Sequence, residues 1–222
     1  AMTKAEADGA DLLMIDTAGR YTTQDSDAAA DEASWTAFLD ILKRGRVNQP
    51  INGVILAFST EDMMTSTPEA LAEHAETVRK RLSEIHTVLK IDFPVYVMFT
   101  KADLVSGFRE YFSSFTQARR KAVWGATFQT RDKSLETFKE VPQEIDKLLG
   151  RLSDEVIDRM AEEPDGISRV AIFRLPGEMG LLRDNVADFL RRVFEPTRYK
   201  TNAILRGFYF TSGTQEGTPI DQ

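Results

Sequence analysis

The sequence predicts an α/β fold in which helices flank a parallel β-sheet. Apolar runs of strand length alternate along the chain with amphipathic segments of helix length, and this alternation is typical of βαβ units. Three apolar runs end in polar turns, and these turns should lie together because parallel strands end at one edge of a sheet. The 222 residues, 42% of them hydrophobic, suffice for one such domain with its own core.

Five segments carry strand signals, each a short apolar run bounded by polar or turn residues. In chain order they are 10–16, 51–59, 93–103, 168–176 and 203–213. The first three end in the polar turns Asp16–Gly19, Ser59–Asp62 and Thr100–Asp103. The last segment is followed by a glycine- and threonine-rich stretch that indicates a turn.

Helix signals fill the spaces between these strands. The segment 31–45 spaces its apolar residues at helical intervals and ends at Gly45. Thr67 is a typical N-cap, and Pro68 follows it at the first helical position, so a long helix should start there. The segment 177–196 is amphipathic and should stop at Pro196.

The stretch between the third and fourth strands predicts a helical insertion over about 104–162. Helical pieces are expected over 104–122 and 132–162, with interruptions near Gly125 and Pro142.

Composition excludes several classes of function. The net charge of −7 and the pI of about 5.0 argue against general nucleic-acid binding, which needs a basic surface. The absence of cysteine excludes disulfides and thiol catalysis, and two histidines are too few for a histidine-rich metal site. No apolar stretch approaches the roughly 20 residues of a membrane span, and the N-terminus lacks the apolar core of a signal peptide. The chain therefore reads as a soluble piece of a longer protein.

The turn at Asp16–Gly19, sequence Asp-Thr-Ala-Gly, predicts half of a nucleotide site. A carboxylate at a strand end can hold Mg²⁺ through water, and a glycine three residues later lets a backbone N–H approach the terminal phosphate. We expect Asp16, Thr17 and Gly19 to contact nucleotide, with Asp16 on the metal side. The simpler interpretation is a strand end followed by a glycine turn.

The sequence Thr-Lys-Ala-Asp at 100–103 resembles the [NT]KxD motif of GTP-binding proteins. There the aspartate accepts hydrogen bonds from guanine and the lysine stem packs over the base, which assigns these roles to Asp103 and Lys101. The alternative is a helix start with Asp103 as N-cap. No catalytic residue is predicted, because Arg20 stands where Ras-like GTPases place the glutamine that orients water.

Four stretches, LLMIDTAGRYTTQDSD, FLDILKRGRVNQPINGVILAFSTEDMM, PVYVMFTKADLVSGFREYF and LRGFYFTSGTQEGTPIDQ, together resemble the cytoplasmic region of the IcmF/TssM family. These are inner-membrane components of the bacterial type VI secretion system. The resemblance implies a membrane-anchored parent whose cytoplasmic face carries this segment and binds the TssL cytoplasmic domain and baseplate components. It also implies GTP or ATP with Mg²⁺ in the parent, since many members carry a GxxxxGK[ST] loop.

This chain departs from that pattern because GxxxxGK[ST] is absent. The expected fold is a P-loop-NTPase-like parallel sheet that lacks its first strand and phosphate loop, over 1–200, with 201–222 leading to the next domain. The strands 10–16 and 51–58 should then meet directly, pair in a dimer or leave a gap. We expect this segment neither to hydrolyse nucleotide nor to hold one, and neither to bind nucleic acid nor to contact the membrane. We do expect it to self-associate. The alternatives are a signal-recognition-type GTPase fragment or an interaction module with relic motifs.

Overall fold

The computed structural model describes residues 14–17, 28–120, 122–129, 136–196 and 203–213, which form helices and a four-stranded sheet. The strands are β1 (Val54–Ser59), β2 (Pro94–Thr100), β3 (Trp124–Thr127) and β4 (Ile204–Phe210). The helices are α1 (Ala28–Gly45), α2 (Thr60–Thr65), α3 (Pro68–Leu89), α4 (Phe108–Ser113), α5 (Gln117–Arg120), α6 (Val141–Glu162), α7 (Gly166–Gly180) and α8 (Arg183–Phe194). Short 3₁₀ turns lie at Ala102–Leu104 and Thr137–Glu140.

The sheet has the strand order β1-β2-β4-β3. β1, β2 and β4 run parallel, as the sequence predicts, but β3 pairs antiparallel with β4. The expectation of an all-parallel sheet is therefore wrong, and the α/β class is confirmed with a mixed sheet.

One face of the sheet forms the floor of the core. Val95, Val97 and Phe99 of β2 are fully buried, and their neighbours Phe208 and Phe210 on β4 share that face. On the opposite face the side chains of β1 and β2 are only partly covered by the described elements, and Ile55 is 52% exposed. The core thus lies between the sheet and the helices on one side.

Helix α3 begins where the sequence predicts. The Thr67 hydroxyl accepts a hydrogen bond from the Ala70 N–H at 3.2 Å, and Pro68 occupies the first turn. Arg79 of α3 donates to the backbone oxygens of Arg192 and Glu195, at 3.0 and 2.7 Å, and so ties α3 to the end of α8. Helix α8 ends at Phe194, close to the predicted stop at Pro196.

The prediction of a strand over 168–176 is wrong, because these residues belong to helix α7. Its buried residues Ile172, Leu175 and Met179 recur at helical spacing. The Asp165 carboxylate caps the helix by accepting from the Ser168 N–H at 2.8 Å. A short apolar run does not by itself distinguish a strand from a helix, and here the side chains that pack on neighbouring helices decide it.

The insertion over 104–162 is not purely helical. The predicted interruption near Gly125 is strand β3, whose Trp124 ring stacks 5.0 Å from that of Phe210 on β4. Pro142 does not interrupt a helix but lies in the first turn of α6. A proline is tolerated there because the first-turn N–H groups have no helical partner.

The strand predicted over 10–16 is not borne out where it can be checked. Residues 14–17 have no regular secondary structure, and Met14 and Ile15 are 68% and 45% exposed. Residues 10–13 lie outside the described ranges. In the described part of the chain, β1 has β2 on one side and no strand on the other. Within the same ranges, no helix combines the length and apolar character that a membrane span needs.

Candidate functional site at the strand ends

The carboxyl ends of β1, β2 and β4 meet at one edge of the sheet, which we call the strand-end rim. It comprises Ser59–Glu61, Thr100–Asp103 and Thr211–Ser212. The Thr100 hydroxyl donates to the Phe58 carbonyl at 3.0 Å, which joins β2 to β1. The Ala102 N–H donates to the Thr211 carbonyl at 3.0 Å, which joins β2 to β4. The rim is thus a connected surface.

Lys101 has left-handed backbone geometry, with φ of 58° and ψ of 32°. This conformation is uncommon for a residue with a Cβ, and such residues concentrate at functional sites. The Lys101 Nζ lies 3.8 Å from the Glu61 carboxylate, and both side chains are more than half exposed. The lysine is therefore accessible at the rim and only loosely paired.

Asp103, in contrast, is engaged within the chain. Its Oδ2 accepts a hydrogen bond from the Arg109 Nη2 at 2.9 Å, its side chain is only 13% exposed, and Ser212 also bonds it. Partial burial opposes ionisation, but the bonds from Arg109 and Ser212 outweigh that effect and lower the pKa of the Asp103 carboxyl. Asp103 is therefore an ionised group whose charge is already compensated.

Of the first predicted motif, only Asp16 and Thr17 lie within the described ranges, and neither makes a described hydrogen bond with the rim. Asp16 and Thr17 are exposed, and Gly19 lies outside the described ranges. Within those ranges Asp16 makes no hydrogen bond or ion pair with Lys101 or Asp103. No group of three or more histidines and carboxylates is placed to hold a metal ion in the part of the chain described.

The end of β1 contains polar atoms without partners. The Ser59 and Thr60 hydroxyl oxygens are buried and make no hydrogen bond to any described residue. Thr60 is completely buried. Next to them, the His74 ring packs edge-on against Phe58 with centroids 4.8 Å apart. Burial lowers the pKa of His74, and Asp62 opposes this only in part.

These side chains can be tested for their fit to a guanine nucleotide. Guanine would require both oxygens of Asp103 as acceptors for its N–H groups, so it would have to share that carboxylate with Arg109 and Ser212. The sequence contains no GxxxxGK[ST] loop to bind the phosphates. The described rim therefore lacks a phosphate-binding loop of its own, and no chemical step through a nucleotide is derived.

Sequence reasoning missed the partners of Asp103. Arg109 lies six residues downstream in α4, and no pattern in the sequence links it to Asp103. Thr211 and Ser212 were detectable in principle, since they follow a parallel strand and parallel strands end at one edge.

Comparison with known proteins gives a consistent result. A family model described as the IcmF-related N-terminal domain matches residues 28–222, so the predicted site residues before position 28 lie outside that match. The chain is 43% identical over 214 residues to the type VI secretion system component TssM1 of Pseudomonas aeruginosa. That alignment covers 96% of this chain but only 19% of TssM1. No solved structure matches the chain.

Proposed function

The chain belongs to the IcmF/TssM family of type VI secretion components, and from that premise we propose that it is a scaffold domain of the secretion membrane complex. In this proposal it works by binding partner proteins at the cytoplasmic face of the inner membrane, not by nucleotide chemistry. The observation that supports it is that the Asp103 carboxylate is already bonded by Arg109 and Ser212, which we call the closed state of Asp103.

The closed state matters because a base could reach Asp103 only by displacing these partners. Because the Arg109 side chain is 62% exposed, its ion pair with Asp103 contributes about 1 kcal/mol or less, and the base would have to replace this pair and the Ser212 bond before any net affinity appeared. A scaffold needs no such exchange, since the Asp103–Arg109 pair fixes the turn after β2 against α4. The rim is thus better suited to structural support than to base recognition.

The partners in this proposal are those that the family resemblance implies: a TssL-like cytoplasmic domain and baseplate components. The alignment with this chain spans 19% of the length of TssM1. A direct test is retention of this chain by an immobilised TssL cytoplasmic domain, with Lys101→Asn as the rim variant.

The decisive variant is Lys101→Asn in the complete secretion protein. Asparagine tolerates left-handed geometry and removes the lysine charge, so folding should be preserved. A scaffold role predicts that type VI secretion and TssL binding are retained at near wild-type levels. Loss of secretion with TssL binding intact would overturn the proposal and favour nucleotide recognition at the rim.

The second candidate is a nucleotide site for GTP or ATP with Mg²⁺ in the complete protein. The left-handed Lys101 beside Asp103 favours it, as do the buried hydroxyls of Ser59 and Thr60 without partners. In this candidate, Asp16 and Gly19 serve the metal and the terminal phosphate, and sequence outside these 222 residues supplies the phosphate loop. Nucleotide titration of the complete cytoplasmic region tests it. Arg109→Ala should then strengthen guanine binding by freeing Asp103.

A further inference from the structure

Helix α7 exposes an apolar face that no described element covers. Ile167, Val170, Phe173 and the residue directly after the helix, Leu181, are 82%, 55%, 63% and 70% exposed. The opposite side of α7 is buried, through Ile172, Leu175 and Met179. At 1.5 Å per residue the exposed face extends over about 20 Å. Exposed apolar patches of this kind mark interaction sites.

The same face carries two opposite charges that do not pair with each other. Arg174 and Glu178 are one turn apart on α7, between Val170 and Leu181. In the described part of the chain, neither side chain makes a hydrogen bond or an ion pair. Gly177 lies between them, and a Cβ added there would meet no atom within 4 Å. The centre of the face is therefore open, with one free cation and one free carboxylate side by side.

We propose that this face binds the same face of a second copy of the chain. A two-fold axis near position 176 would run the two α7 helices antiparallel. Val170 of each copy would then lie opposite Leu181 of the other, and Arg174 opposite Glu178. Such an interface is isologous, because each residue meets its complement twice.

The order of the charges selects the antiparallel arrangement. A parallel pair of α7 helices would place Arg174 against Arg174 and Glu178 against Glu178, and like charges in an interface are costly. The antiparallel pair makes two Arg174–Glu178 contacts and brings the open space at Gly177 to the helix crossing. Charge complementarity and apolar complementarity therefore agree on one geometry.

The surroundings of the face argue against an anionic membrane as its occupant. Glu162, Glu163 and Asp165 cluster at the start of α7, and the chain as a whole has a net charge of −7. An anionic bilayer would repel this region. A second copy, in contrast, matches each charge on the face with its opposite.

A single pair of helices buries less than the roughly 800 Å² per partner of a standard interface, so the dimer should be weak and concentration-dependent. Sedimentation velocity of the 222-residue chain over a concentration series should show reversible dimerisation. Arg174→Glu and Glu178→Arg should each weaken the dimer by about tenfold, because each replaces two attractive contacts by two repulsive ones.

Two combinations of these variants test the geometry itself. The double variant Arg174→Glu/Glu178→Arg should dimerise like the wild type, because the swapped charges still face each other. A mixture of the two single variants should associate more strongly than either variant alone. Circular dichroism provides the control for folding, which should be unchanged since Arg174 lies at the surface.

Cross-linking tests the register, and the absence of native cysteine removes any background. A mixture of Val170→Cys and Leu181→Cys chains should form a mixed disulfide dimer under mild oxidation. Val170→Cys alone should not, because its two copies would lie about 16 Å apart along the helix pair. Dimers that form equally in both samples would overturn the proposed register.

The proposal fails if the wild-type chain stays monomeric throughout the concentration series, or if the double charge swap does not restore association. It also fails if the chain stays monomeric while Arg174→Glu abolishes retention by the TssL domain. That last result would assign the face to a different protein.

Discussion

The ends of β2 and β1 lie side by side at the strand-end rim, yet they differ in how their polar groups are satisfied. At the end of β2, Asp103 is bonded by Arg109 and Ser212. At the end of β1, the hydroxyls of Ser59 and Thr60 are buried without a partner in the part of the chain described. A buried polar group without a partner costs about 1–3 kcal/mol, so the polar groups at the β2 end are better satisfied than those at the β1 end.

The difference shows that the Asp103 carboxylate of the Thr-Lys-Ala-Asp motif is already bonded within the chain. Within the described residues, polar side chains after β2 bond one another, whereas the buried hydroxyls after β1 have no partner. The outer edge of β1 likewise has no neighbouring strand in the described ranges.

The largest effect should come from Gly107, which holds the loop that carries Asp103 and Arg109 against α7. Its φ is +88°, and a Cβ there would lie 2.1 Å from the Ala171 carbonyl oxygen. Gly107→Ala should therefore lower the free energy of unfolding by about 3 kcal/mol, as measured by urea denaturation.

The matched control is Gly150→Ala in α6, where an added Cβ meets no atom within 4 Å. This variant should stabilise the chain by about 0.5–1 kcal/mol, because alanine is the better helix former. Similar destabilisation by both variants would show that Gly107 does not hold the completed end of β2.

Two buried threonines, Thr137 and Thr60, differ in whether the hydroxyl makes a described hydrogen bond. Thr137 donates to the Leu205 carbonyl at 2.8 Å, so Thr137→Val should cost about 1–2 kcal/mol. Thr60→Val should be neutral or stabilising, because the Thr60 hydroxyl has no described partner to lose. Thermal unfolding of both variants measures the contrast. Equal losses would mean that the β1 end is already complete.

Asp103→Asn should cost about 1 kcal/mol at neutral pH, because it removes the charge that Arg109 and Ser212 bond. The pKa of Asp103 is lowered in the folded state, so its contribution is present above the unfolded value of about 3.9. That contribution is lost as the pH falls through the folded pKa. Between about pH 5 and 2, the free energy of unfolding should therefore fall more steeply with decreasing pH for the wild type than for the variant. Parallel curves would contradict the closed state.

The smallest effect concerns His74, which packs against Phe58 beneath the β1 end. Burial lowers its pKa, so the neutral ring stabilises the fold above the unfolded value of about 6.5, and this contribution is lost as the pH falls below it. The wild type should lose stability between pH 7.5 and 5.5, on the order of 0.5 kcal/mol, and His74→Gln should lose less. The change in melting temperature measures it, and an identical loss in the variant would show that His74 does not contribute.

The sequence predicts those elements whose signals are local. The Thr67-Pro68 start of α3 and the apolar runs of β1, β2 and β4 are confirmed by the structure. Strand β3 has only four residues and depends on the contact between the Trp124 and Phe210 rings, which are distant in sequence. The sequence predicts a strand in place of helix α7 because the apolar run there is short and ends near Pro176, although the Asp165 cap is a helix signal.

At the rim, the sequence indicates which residues lie at the strand ends but not which of them pair. Lys101 and Asp103 lie at the predicted edge of the sheet, and their roles in binding nucleotide stay predictions. The bond from Arg109 to Asp103 depends on where α4 is placed by its packing on α7. Such a contact is tertiary and leaves no periodic trace in the sequence.

The central claim is that the strand-end rim of this chain does not bind a guanine nucleotide. Its most direct test is a calorimetric titration of the 222-residue chain with a non-hydrolysable GTP analogue and Mg²⁺. The internal pairing of Asp103 and the missing phosphate loop predict no saturable binding at micromolar concentrations, for the wild type and for Asp103→Asn alike. Micromolar binding by the wild type that Asp103→Asn abolishes would contradict it.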